Sequence, residues 1–260
     1  MTFKKFVPLA FRKWARTHYN NIWCTRKYDS WPFGLLWSIF HRTYKAEGME
    51  FFLPLDKMPW GFRSRFFFNA YEKEERSLCL KYIQPQDQIL ELGACIGVVS
   101  CICNRILKDS SKHVAVEANP ELTSWIERNR QHNRASFLIE QGMLSKTSNG
   151  DFRIERFIVS GSANTTTGTL VKVPVISIEE ICNKHQLVPT IIVMDIEGGE
   201  ISFLKENRIW LTQNCEMKTI ILEMHPAIVG IKVVGHLRGD LESLGFILQE
   251  TLGSVECWQR

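Results

Sequence analysis

At 260 residues the chain has room for one large domain, or one domain with an appended segment, and length enough to bury a substantial core. A hydrophobic share of 45% against 23% charged residues excludes an intrinsically disordered chain. No apolar run approaches the roughly 20 residues that a spanning helix needs. The net charge of +4 hides an asymmetry: residues 1–45 hold nine Lys/Arg against Asp29 alone, leaving 23 bases and 27 acids for the rest.

In chain order, residues 1–45 interleave bases with aromatics, and five of the eight tryptophans fall in the first 60 residues. Short helices packed on the body are one reading of "FKKFVPLAFRKWARTHY" and "WPFGLLWSIFHRTY". The other is an interfacial segment, its bases toward anionic headgroups and its Trp at the boundary. "MEFFLPL" suggests a strand, "WGFRSRFFFNAY" a loop entering a helix, and "EKEERSLCLKYI" (72–83) a helix with acids in its first turn.

From there the pattern is regular. Strands are expected at 88–92, 113–118, 136–143, 190–196 and 219–225, with helices near 97–107, 120–133, 199–210 and 232–244. "DFRIERFIVS" and "TLVKVPVIS" read as extended segments around the polar loop "GSANTTTG", and "SIEEICNKHQ" as a short helix. "FILQETL" and "SVECWQR", separated by Gly253, read as an antiparallel hairpin. The expectation is an α/β fold with a mostly parallel sheet covered on both faces. A boundary near residue 70 separates a basic, Trp-rich arm and lead-in (1–70) from an α/β domain (71–260).

The eight cysteines show no disulfide framework, and no second Cys/His pair stands at zinc spacing beside Cys101 and Cys103. Reduced cysteines and the lack of a convincing secretory signal fit a cytoplasmic protein, with the arm allowing contact with a membrane surface.

The chemistry concentrates at strand ends. "ILELGACIG" runs from a strand through Glu91, Gly93, Ala94, Cys95 and Gly97 into a helix. A dinucleotide site would want G-x-G-x-x-G, but position 95 is Cys, and Glu91 would repel a pyrophosphate. A ligand with a positive amino-acid end, such as S-adenosylmethionine (SAM), fits better. Gly93 is expected to let the backbone approach that ligand, and Gly97 to let the helix pack on the strand. Glu117 ends the second strand, where a carboxylate accepts ribose hydroxyls, followed by Ala118 and Asn119. Gly142 and Met143 end the third, a place to flank adenine. "VMDIEGGE" places Asp195, Glu197 and Glu200 at the sheet's carboxyl edge, and "ILEMHP" adds Glu223 and His225, a neutral imidazole being the natural base near pH 7.

With these motifs in this order, "YEKEE", "ILELGACIG", "VAVEANPE", "SGSANTT", "VPVISIEEI", "DIEGGE" and "LEMHP", the chain resembles the FkbM-type SAM-dependent methyltransferases from about Tyr71 to Pro226. Cys95 stands where Asn is commoner and Gly199 where Ala is. The resemblance implies a Rossmann-like class I methyltransferase with a seven-stranded sheet and C-terminal hairpin, SAM as cofactor, and O-methylation of a sugar hydroxyl in a glycan, glycolipid or glycosylated metabolite. His225 or Asp195 is then the expected base, Glu197 orients the acceptor, and Ser162 and Asn164 of the polar loop face the sugar. No metal is assigned; Asp195, Glu197 and Glu223 offer oxygen ligands to Mg²⁺ as the alternative. An NAD-dependent oxidoreductase is disfavoured by the missing glycine. A non-catalytic binding module and an RNA ribose methyltransferase remain rivals. The acidic body disfavours a broad nucleic-acid surface.

Overall fold

The computed structural model describes residues 28–154, 161–162 and 168–260. The basic residues of 1–27, and Asn164, lie outside the described residues, as does the side chain of Ser162. The chain divides into two compact units, one from the segments up to Tyr44 and from Pro54 to Tyr71, the other from Lys45–Leu53 and Glu72–Arg260. Among the described residues no helix is long and apolar enough to cross a membrane.

In the first unit, α1 (Trp31–Phe40) packs on α2 (Trp60–Phe67). The contact is closest at Gly34, where a Cβ would stand 1.7 Å from the Trp60 carbonyl oxygen, so no larger residue fits. Trp37, Tyr44 and Tyr71 surround Phe66 with ring centroids 5.0–5.3 Å away. Arg63, nearly buried, donates to the carbonyls of Met58 and Leu55, which satisfies the guanidinium without a carboxylate.

The second unit is built on strands β1 (Ile89–Leu92), β2 (His113–Glu117), β3 (Leu138–Gln141), β4 (Ile191–Met194), β5 (Thr219–Glu223), β6 (Ile247–Leu252) and β7 (Val255–Gln259). Their order across the sheet is β6-β7-β5-β4-β1-β2-β3. The five strands from β5 to β3 run parallel, while β7 is antiparallel to both β5 and β6. The first four of the parallel strands in sequence alternate with helices, and the order reverses beside β1, which places a crevice at its carboxyl end.

Alternation along the strands sends side chains into two layers. Leu90, Leu92, Val114, Val116, Ile192, Met194, Ile220 and Leu222 join one core. Ile89, Ile191, Val193 and Ile221 join the other, with residues of α3 (Lys73–Tyr82) and α4 (Val98–Ile106). Burial on both faces explains why the strands read as continuous apolar runs. The segment Lys45–Leu53 belongs here because Asn129, on α5 (Thr123–His132), accepts from Phe52 N and donates to Phe52 O. The same amide donates to the Ile96 carbonyl, so one buried side chain fixes both that segment and the turn after β1. Further on, α6 (Ile178–His185) starts at a capping box between Ser177 and Glu180, and the region expected as one helix at 199–210 is two, α7 (Glu200–Glu206) and α8 (Arg208–Gln213).

Candidate functional site

The loop after β1 is shaped by backbone needs. Gly93 has φ +89°, and a Cβ there would stand 1.9 Å from the Asp195 carbonyl oxygen. Its lack of a side chain lets the loop after β1 close on the loop after β4. Gly97, at φ +79°, faces Ile126 of α5, so its packing partner is the next helix and not the strand. Between them Cys95 takes φ +50°, a region that residues other than glycine rarely occupy.

Glu117, at the end of β2, is buried, and its two oxygens accept from the backbone N–H groups of Cys95 and Asn119 at 2.8 and 2.7 Å. Burial pushes its carboxyl up to about 7, against the pull of those two donors. Each oxygen retains a lone pair for a further donor. Ala118 lies beside it, half-buried. The Asn119 side chain accepts from Glu121 N, which makes it a turn-forming residue at the entry to α5. Gly142 donates to the Glu117 carbonyl, and its open side is filled by Pro174 O and Ile176. Met143, half-buried, pairs with Val175 in a short parallel bridge.

Glu91 is placed differently from the expectation that it lines the crevice. It shares the face of Ile89, beneath α4, and is buried there. Its oxygens are held by Ser100 Oγ and His113 Nε2, both at 2.9 Å. The physical reason is the two-residue alternation of β1, which turns position 91 into the helix layer. Glu91 thus supports the crevice from inside.

The acidic carboxyl edge is assembled from the end of β4, the start of α7 and the end of β5. His225 Nε2 lies 3.2 Å from Asp195 Oδ1 and 3.6 Å from Glu197 Oε2, and Nδ1 lies 3.3 Å from Glu200 Oε1. Burial lowers the His225 pKa, but Asp195 and Glu200 outweigh it and raise it to about 11. Its charged form is favoured at neutral pH, whereas the sequence reading expects a neutral base. Glu223 accepts from Ser254 Oγ at 2.7 Å and is pushed up to about 7, by burial first and Asp195 second. Glu197 is set at φ +51°, followed by Gly198 at +93°.

Asp195, Glu200 and His225 each bring one ligand-type atom within 4.8 Å of the others. The two ring nitrogens, however, face different carboxylates, the arrangement of an imidazolium between two anions. The Mg²⁺ set named from the sequence, Asp195 with Glu197 and Glu223, does not form such a group among the described residues.

Glu200 reads in the sequence as one of three acids at the carboxyl edge, and nothing in one dimension shows that α7 turns it back toward His225. One further acid escapes the sequence reading. Glu75 sits in "YEKEE" and looked like a first-turn acid complementing the helix dipole. It is instead buried on α3, its carboxyl raised well above the usual range by burial, then by Asp195 and Glu72.

A sheet with five parallel strands, a reversal beside β1 and a terminal antiparallel pair is that of the Rossmann-like class I methyltransferases. The chain belongs to the FkbM family within that class: the family's model, "Methyltransferase FkbM domain", matches residues 91–248. No curated protein matches the chain. Among solved structures it is similar to a precorrin-6y C5,15-methyltransferase from Geobacter metallireducens, with 14% identity, 72% of this chain and 88% of that one covered, and a TM-score of 0.45. Fibrillarin from Aeropyrum pernix, solved with natively bound SAM, is 13% identical over 84% of this chain and 82% of that one, also at 0.45. TYW2 from M. jannaschii, in complex with AdoMet, is 12% identical over 84% and 85%, again at 0.45. These likenesses are too distant to carry functional weight.

The cofactor of this methyltransferase is SAM. The residues present fit it. Glu117 offers buried carboxylate lone pairs of the kind that accept ribose hydroxyls. Asp195 Oδ1 is buried with no hydrogen bond satisfying it.

Proposed function

We propose that the chain is an O-methyltransferase acting on a sugar hydroxyl in a glycan, glycolipid or glycosylated metabolite. The observation that carries this reading is His225 held between Asp195 and Glu200 at the carboxyl edge of β4 and β5. SAM supplies a methyl group on a sulfonium that is its own leaving group. What the chain must add is alignment of the acceptor oxygen, exclusion of water and removal of the hydroxyl proton.

Asp195 takes that proton. His225, already charged, keeps its own proton; it orients Asp195 and offsets the negative charge gathered there. Glu197, on the strained turn, faces the same imidazole and is placed to position the acceptor. Residues 161–168 would supply further sugar-facing groups, with Ser162 and Asn164 as the candidates.

The test is transfer of a labelled methyl group from SAM to polysaccharide, lipid and RNA fractions. Label should enter carbohydrate, and Asp195→Ala should lower turnover by about 10²-fold or more. Label entering only RNA, or wild-type turnover in both Asp195→Ala and His225→Ala, would overturn the reading.

A further inference from the structure

Charge and apolar surface are concentrated in the same unit. The segments 1–44 and 54–71 carry eleven Lys/Arg against two acids, a net of +9, whereas the remainder holds 21 against 26, a net of −5. Helix α1 has no charged residue at all. Only Gly34 and Trp37 on it are buried; Trp31, Phe33, Leu35, Leu36, Ile39 and Phe40 are exposed, the last two by 63% and 74%. At the end of α2, Phe67 and Phe68 extend this surface, their rings 5.3 and 5.1 Å from Phe33. Asp29, the one acid in residues 1–45, is neutralised by Arg65 at 2.6 Å.

A contiguous apolar face of this kind marks an interaction surface. We propose that it binds an anionic lipid bilayer, lying in the headgroup region with α1 along the membrane plane. Ten helical residues reach about 15 Å, half the roughly 30 Å of hydrocarbon, so α1 lies on a bilayer and does not cross it. Its aromatic and aliphatic side chains enter the acyl boundary, and basic residues of the same segments, Arg42 and Lys57 among those described, meet lipid phosphates. Charge selects this occupant. A second copy would bring together two sets of segments that each carry a net +9 in sequence. A nucleic acid would match the bases but leave Leu35, Leu36 and Ile39 facing water.

The test uses the full chain, sedimented with vesicles of phosphatidylcholine alone and with phosphatidylserine added. Binding to the serine-containing vesicles, weakening as salt rises, is expected. The double variant Ile39→Asp/Phe40→Asp should reduce it by about tenfold or more, because two large apolar side chains no longer leave water. Both positions are exposed, and an unchanged circular dichroism spectrum with an unchanged thermal shift on adding SAM verifies that the variant is folded. No binding by the wild type, equal binding by the double variant, or conversion of a lipid-free dimer to a monomer by these substitutions would each overturn the proposal. None of these results depends on which acceptor is methylated.

Discussion

His225 bridges two carboxylates from different elements, with Nε2 3.2 Å from Asp195 Oδ1 and Nδ1 3.3 Å from Glu200 Oε1. A folded-state pKa raised from 6.5 to about 11 means that the folded form holds a proton the unfolded chain gives up. That contribution to stability is complete below about pH 6.5 and is lost as pH rises toward 11. Thermal melts over this range should show wild type declining toward His225→Gln, with the gap closing at the alkaline end. A constant gap would mean that the imidazole is neutral in the folded protein.

Glu117 titrates in a different window. Its carboxyl is raised from 4.5 to about 7, so it costs stability as pH rises from 4.5 to 7. Hydroxyl donors from a bound ribose favour the charged form, so SAM should bind more tightly as pH rises through 7, with release of a proton. Calorimetry in buffers of different ionisation enthalpy measures this directly. Glu117→Gln should weaken SAM binding by about tenfold or more and remove its proton linkage.

Removing Glu91 strands two buried partners. His113 Nδ1 already lacks a hydrogen bond, so Glu91 is the one group satisfying that ring among the described residues. Glu91→Ala should cost about 3 kcal/mol or more in urea denaturation, while Glu91→Gln should cost less. Because the side chain faces the helix layer, Glu91→Gln should also retain SAM binding within a few-fold. A large loss of affinity with little loss of stability would return Glu91 to the ligand side.

Gly93→Ala meets two obstacles at once, a φ of +89° and a backbone carbonyl 1.9 Å from the new methyl group. The clash is with Asp195, so the loop after β4 must shift. Turnover should fall by about 10²-fold, beyond what the loss of stability explains, since an ångström of misplacement at a reacting group is that costly. Gly245→Ala is a fair control: it shares a positive φ of +86° with open space around it, and its effect should be confined to stability.

The sheet was legible because each parallel strand is an apolar run closed by turn residues, and the helices between them have helical spacing. Strand ends at Glu117, Asp195 and Glu223 could be read as an edge for the same reason. Side-chain direction could not. Glu91 looked like a ligand because of its place before Gly93, yet strand alternation alone would have put it with Ile89. His225 looked like a base because its sequence neighbours do not show Glu200, which α7 brings from 25 positions away. The helix expected over 199–210 breaks at Asn207, whose buried amide donates back to Phe203 O. Residues 1–27, read as short helices or as an interfacial segment, lie outside the described residues.

Cys95 and Glu197 stand on neighbouring turns, after β1 and β4, both with φ near +50°. Drift at these two positions is therefore steered toward glycine, asparagine and aspartate, which tolerate that backbone, and away from valine, isoleucine or threonine. The asparagine commoner at position 95 in the resemblance to FkbM-type enzymes is then a conformational choice before it is a chemical one. The outline of the crevice is thus inscribed in main-chain geometry at these two turns, and a substitution there is felt first as backbone strain.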